Sequence, residues 1–213
     1  MGFKLQNRDI QILKQVTKYR FLLSRQIKIL CGFSGQRACD RRTKKLIDEG
    51  LLEKKHFLYG IPALYMTTEK AKRHFDLGYV TNNIRVEHIN HNILAIDTAI
   101  YLIENIGLLD SNIISERQLK NQYGFGKPQH VPDLVYTDKG NKKCCVEIEL
   151  NIKQFDKLKK NVLQNYKSYD KQLWVVDITK EKIVENLKKI QIRYSDIIIQ
   201  DMEEVKTYVK TLQ

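Results

Sequence analysis

The sequence predicts an α/β chain in two parts: a small basic domain of helices and a hairpin, then a larger α/β domain on a mixed sheet. Three observations predict it. Residues 1–82 hold 17 Lys+Arg against 7 Asp+Glu, whereas residues 83–213 hold 20 against 18, so almost all of the +12 net charge is local to the first part. That first part carries apolar residues at helical spacing. The second alternates apolar runs of strand length with amphipathic helical stretches. At 213 residues, with 42% apolar and 29% charged side chains, the chain can bury one large core or two small ones.

In the first part, Asn7 can cap a helix through Ile10, Leu13 and Val16. Ser24 begins a second helix, SRQIKILCG, stopped by Gly32. Ser34 opens a third, SGQRACDRRTKKLIDEG, ending at Gly50. On this third helix Cys39, Thr43, Leu46 and Ile47 form an inward stripe. Arg37, Asp40, Arg41 and Lys44 fall opposite, with Gln36 and Lys45 at the edges. Two strands follow, about Leu51–Leu58 and Ala63–Thr67, around a turn at Gly60–Pro62, and TEKAKRHFDLG closes the domain as a helix. A short helix, a tight turn, a cationic helix and a basic hairpin make a winged helix-turn-helix over residues 1–80. The expected partner is double-stranded DNA. Gln36, Arg37, Arg41, Lys44 and Lys45 would meet the major groove, and Lys54 and Lys55, with His56, would meet the backbone or minor groove from the wing.

Residues 84–213 open with a long helix, NIRVEHINHNILAIDTAIYLIENIG, ended by Gly107. SNIISER is a strand, followed by a polar loop. VPDLVYTD and KKCCVEIEL form a hairpin across KGN. NIKQFDKLKKNVLQNYKSY is a helix with Phe155, Leu158, Val162, Tyr166 and Tyr169 on one face. KQLWVVD, EKIVENLKKI and DIIIQD are a strand, a helix and a last strand. On the second hairpin strand, period-two alternation places Cys145, Glu147 and Glu149 on one face. Two carboxylates in an otherwise apolar strand need a cation or hydrogen bonds to offset burial. Asp133 can share their face and Glu116 is a fourth carboxylate. These hard oxygen ligands suit Mg²⁺ or Mn²⁺. His130, just before the Pro–Asp pair, can relay a proton, and Lys153, on the next helix, can orient a water.

Asp133, preceded by Pro132 and followed fourteen residues later by EIE, resembles the PD-(D/E)xK nuclease superfamily. That resemblance implies that Asp133 and Glu147 hold the metal ion. The motif's lysine position is Glu149 here, with Lys153 as its substitute from the helix. The basic domain followed by HVPDLVY and VEIELNIKQFDKLKKNVLQNY resembles, over nearly the whole chain, the replication-relaxation family of plasmids and other mobile elements. This resemblance implies a part in plasmid replication or transfer; metal-dependent nicking is what the PD-(D/E)xK resemblance would add to it. A non-enzymatic winged-helix regulator or partner-binding protein is the alternative. A third reading is a metal-free relaxase using Tyr123, Tyr136, Tyr166 or Tyr169.

Cys31, Cys39, Cys144 and Cys145 are expected as buried thiols of a cytoplasmic protein. Met1 to Lys18 holds no signal-peptide core and no run has membrane-spanning length, so no membrane partner is expected. A homodimer through the long helix is compatible with the pattern.

Overall fold

The computed structural model describes residues 4–78, 84–124, 130–151, 154–191, 193 and 196–213. The chain divides into two compact units, Met1–Ile96 with Leu212–Gln213, and Asp97–Thr211. Among the described residues no helix is long and apolar enough to cross a membrane.

The first unit is built from α1 (Asn7–Tyr19), β1 (Leu22–Leu23), α2 (Ser24–Leu30), α3 (Gln36–Asp48), β2 (Leu52–Lys55), β3 (Leu64–Thr67) and α4 (Glu69–Phe75). Its antiparallel sheet has the order β1-β3-β2. The sheet therefore has three strands where two were expected; a two-residue strand leaves no alternation to read. β2 ends at Lys55 rather than Leu58, because pairing stops at Lys55↔Leu64 and the next residues turn through Gly60 at φ +78°. α3 starts at Gln36 rather than Ser34, with Gly35 extended before it. Ile12, Leu13, Val16, Phe21, Ile27, Cys39, Leu46 and Met66 are fully buried, which tucks the inward stripes of α1 and α3 against the sheet.

One polar contact runs through this apolar core. Asp9, wholly buried, takes both forks of the Arg42 guanidinium, through Nε and Nη2. Its Oδ2 also accepts from the Gln6 backbone N–H at 2.7 Å, which closes the first turn of α1. The hydrogen bond to Asp9 holds the Arg42 guanidinium above its ordinary pKa.

The second unit contains the latter part of α5 (Ile89–Glu104), then β4 (Ile113–Ser115), α6 (Glu116–Tyr123), β5 (Leu134–Thr137) and β6 (Lys143–Glu149). It continues through α7 (Phe155–Tyr166), β7 (Lys171–Val176), α8 (Glu181–Gln191), β8 (Ile197–Asp201) and α9 (Met202–Thr211). The sheet is mixed, in the order β4-β5-β6-β7-β8: antiparallel from β4 to β6, and parallel from β6 to β8. β6 is central and buried on both faces. Leu158, Val162, Trp174, Val176, Ile183, Leu187, Ile190 and Ile197 form the core between the parallel strands and α7 and α8.

Several expectations are corrected here. The long helix begins at Ile89, after a 3₁₀ turn at Val86–His88. Every residue from Leu94 to Leu102 is buried. Residues 116–123 are a helix, where Glu116 and Arg117 were expected to end a strand and Asn121 to begin a loop: the Ser115 hydroxyl caps Gln118 N, and the Gln118 side chain bonds back to Ser115 N. The chain does not end on a strand but on α9, with Met202, Val205 and Val209 inward. On α7 the inward positions are Leu158, Val162 and Asn165, while Phe155 and Tyr166 are exposed; Tyr169 lies past the helix end. Both sets keep a helical spacing, so the repeat alone does not separate them; the buried arc is centred on Leu158, Val162 and Asn165. All four cysteines are free and buried, and burial pushes the Cys39 thiol up to about 11.

Arg42→Ala leaves Asp9 buried without its cation, and is expected to lower unfolding free energy by about 3 kcal/mol in urea titrations. The paired change Asp9→Leu with Arg42→Met should recover most of that loss. A double variant as unstable as Arg42→Ala would show that the pair is not the cause.

Candidate functional site

Two groups of side chains stand apart from the packing, one in each unit. In the first unit, α3 turns Gln36, Arg37, Asp40, Arg41, Lys44 and Lys45 to solvent, because Cys39, Thr43 and Leu46 face the core. Lys54 and Lys55 are exposed on β2. A cleft of about 770 Å³ lies between these elements, with Thr43, Lys44 and Ile47 on one side and Lys54, His56 and Tyr65 on the other.

The cations of this face are not equivalent. Lys44 pairs with Asp48 at 3.0 Å one turn on, Lys55 pairs with Glu53 at 2.6 Å, and Lys54 lies 5.6 Å from the centre of the Tyr65 ring. Arg37, Arg41 and Lys45 have no intramolecular ion-pair partner among the described residues. Gln36 is committed internally: its Nε2 donates to Ser24 Oγ at 2.6 Å and to Asp40 Oδ1 at 2.8 Å. At the hairpin tip Leu58 is partly exposed and Tyr59 fully so, two residues that sequence reasoning passed over. The signal was present: a large apolar pair immediately before Gly60 in a turn cannot be core.

In the second unit, β6 carries Cys145, Glu147 and Glu149 on one face, as alternation requires, and parallel register sets Glu147 beside Trp174 of β7. Glu147 and Glu149 are each only 4% exposed. Glu147 Oε1 meets His130 Nε2 at 2.5 Å and accepts from Asn165 Nδ2 of α7 at 2.8 Å. His130 is about one-fifth exposed, so it links a buried carboxylate to solvent. Burial raises the Glu147 pKa first of all; the His130 and Asn165 hydrogen bonds oppose that, and the charge of Asp133 adds to it.

Asp133 sits just before β5. Its Oδ2 accepts from the Ile148 backbone N–H at 2.8 Å, substituting for a partner on β5 where that strand has not yet begun. Glu116 comes close through its backbone, whose N–H bonds Asp133 O at 2.9 Å, but its carboxylate engages Lys120 on α6. The structure thus brings His130, Asp133 and Glu147 together, holds Glu149 on the same face, and turns Glu116 to a lysine. Lys153 lies outside the described residues. Asn165 was missed, since a polar residue within an amphipathic helix carries no distinct signal; only the apolar phase at Leu158 and Val162 pointed to it.

Asp133 and Glu147 have the hard-oxygen chemistry of a Mg²⁺ or Mn²⁺ ligand pair. One oxygen of each is already engaged, and among the described residues no group of three or more His, Cys, Asp or Glu side chains is arranged to hold a metal ion. The described residues by themselves can store and pass a proton along Glu147 and His130. Tyr169 is a poor nucleophile here: burial and its bond to Tyr123 drive its pKa far up. Burial does the same to Tyr136.

Compared with models of known families and with curated proteins, the chain matches none.

A glutamate whose folded pKa is raised binds protons that the unfolded chain releases. Its folded state therefore loses stability as pH rises from the ordinary value near 4.5 through the raised one. Glu147→Gln, with a chelator present, should raise the melting temperature at pH 7, and the gain should vanish below about pH 4.5. A lower melting temperature at pH 7 would mean that the charged form is a structural ion-pair partner of His130.

Proposed function

We propose that this chain is a cytoplasmic double-stranded-DNA-binding protein of a mobile element, acting in plasmid replication or transfer in the manner of the replication-relaxation family. In this reading the first unit is a winged helix-turn-helix, with α3 in the major groove and the β2–β3 hairpin as the wing. The observation that carries it is the exposed face of α3, where Arg37, Arg41 and Lys45 project without intramolecular partners among the described residues. Lys54 lines the far side of the cleft, and Lys55 is exposed next to it on β2. A helix fits the B-DNA major groove, and unpaired arginines supply both phosphate contacts and guanine-edge donors. Four buried, free thiols agree with a reducing compartment.

Binding should weaken steeply with salt, with a log–log slope of about −3 or steeper. Arg37→Glu with Arg41→Glu should lower affinity for duplex DNA by about tenfold or more and flatten that slope by about 2. Fluorescence anisotropy between low and moderate salt measures both quantities; a flat response in the wild type would reject phosphate contact.

For the second unit, a PD-(D/E)xK-like nickase is a second reading, favoured by Asp133 beside the buried Glu147. A divalent ion bound by Asp133 and Glu147 would supply charge stabilisation to a phosphodiester in that place. His130 would hold a proton at Nε2 against Glu147. Supercoiled plasmid with Mg²⁺ or Mn²⁺ should then be nicked by the wild type, and at least a hundredfold more slowly by Asp133→Ala or Glu147→Ala. Equal nicking by the variants, or none by the wild type, leaves the non-enzymatic reading, in which this unit holds a partner.

A further inference from the structure

Within the cationic face of α3 stands one carboxylate, Asp40, exposed and adjacent to Arg41, one turn from Arg37 and Lys44. Its orientation is set by neutral groups. The Ser24 hydroxyl, at the start of α2, donates to Asp40 Oδ1 at 2.5 Å, and Gln36 Nε2 donates to the same oxygen at 2.8 Å. Gln36 is itself held by Ser24 Oγ at 2.6 Å, so the three side chains lock one another. Among the described residues no lysine or arginine pairs with Asp40, and nothing bonds its Oδ2. The frame fixes the carboxylate's direction while leaving its charge whole and one oxygen open.

A negative charge fixed among cations that attract phosphate weakens contact with DNA of any sequence. It is offset only where a base presents a donor to the open oxygen. In the major groove those donors are the exocyclic amines, and a carboxylate, having no donor of its own, matches the cytosine N4 amine; adenine pairs its amine with an acceptor that calls for an amide. We infer that Asp40, aligned by Ser24 and Gln36, is a specificity-determining residue that accepts from cytosine and rejects other bases at one position of the DNA site. Gln36 is then a positioning residue rather than a reader of bases. The inference rests on the DNA-binding reading above.

Selection of a random duplex library with the full chain tests it, alongside D40N and S24A, each checked for a wild-type melting transition. The wild type should enrich sites with cytosine at one fixed position. D40N should lose about tenfold of the preference there, yet bind unselected duplex about two- to fivefold more tightly, because the repulsion has gone. S24A keeps the charge but removes the shorter of the two bonds that hold its direction. It should blur the same position without any gain on unselected duplex, which a merely structural role would not produce. Unchanged base preferences in D40N, weaker binding of unselected duplex by D40N, or an Asp40-dependent position occupied by adenine would each overturn the assignment. If D40N does not fold, unchanged preferences in S24A overturn it alone. A wild type that binds no duplex at low salt rejects the DNA-binding reading itself, an outcome distinct from binding with unaltered preferences.

Discussion

Two arginines follow one another on α3, and the first unit depends on which of them turns inward. Arg42 does, because Asp9 is buried beneath it and has no other cation among the described residues to offset its charge. A buried ion pair is a poor source of net stability compared with packed apolar groups, but it is intolerant of misplacement. With Arg42 anchored to α1, the rotation of α3 has one solution, in which Cys39, Thr43 and Leu46 meet the core. Arg37, Arg41, Lys44 and Lys45 are then outside together, and Asp40 falls among them beside Ser24. Rotating the helix by one residue would bury Arg41 and expose Arg42, and would scatter the cationic face.

A comparable constraint acts on β6. A strand in the middle of a mixed sheet is covered on both sides, so any carboxylate on it is buried whichever face it takes. Glu147 is therefore accommodated by hydrogen bonds from His130 and Asn165, drawn from a connecting segment and from α7. Its raised pKa is the sign that the accommodation is incomplete at neutral pH. Groups kept at such a loss of stability concentrate where a chain binds or reacts, though structural networks also contain them. Asp133 shows the other outcome within the same cluster: one of its oxygens completes the sheet's hydrogen bonding, so a residue picked out for metal chemistry also has a structural task.

Much of this was legible in the chain, for reasons that differ from one element to the next. The period of α1, α3, α7 and α8 and the apolar runs of β5 to β8 stand out because burial of one face imposes them. The face shared by Cys145, Glu147 and Glu149 follows from the two-residue repeat alone. The capping pair Ser115–Gln118 could have marked α6, and Met202, Val205 and Val209 could have marked α9; short helices with few apolar positions are weak against a polar background.

By itself, the sequence determined that the cations lie in the first 82 residues, that α3 has a charged side, and that a carboxylate strand follows a Pro–Asp pair. These are properties of composition and local periodicity, carried by neighbours in the chain. Only the tertiary structure decided which cations are engaged and which are open. It set Arg42 against Asp9 thirty-three residues away, Asp40 against Ser24 sixteen away, and Glu147 against both His130 and Asn165. Hydrogen bonds are short-ranged and directional, so a partner distant in sequence is chosen by the packing that delivers it, and no local pattern of residues encodes that choice.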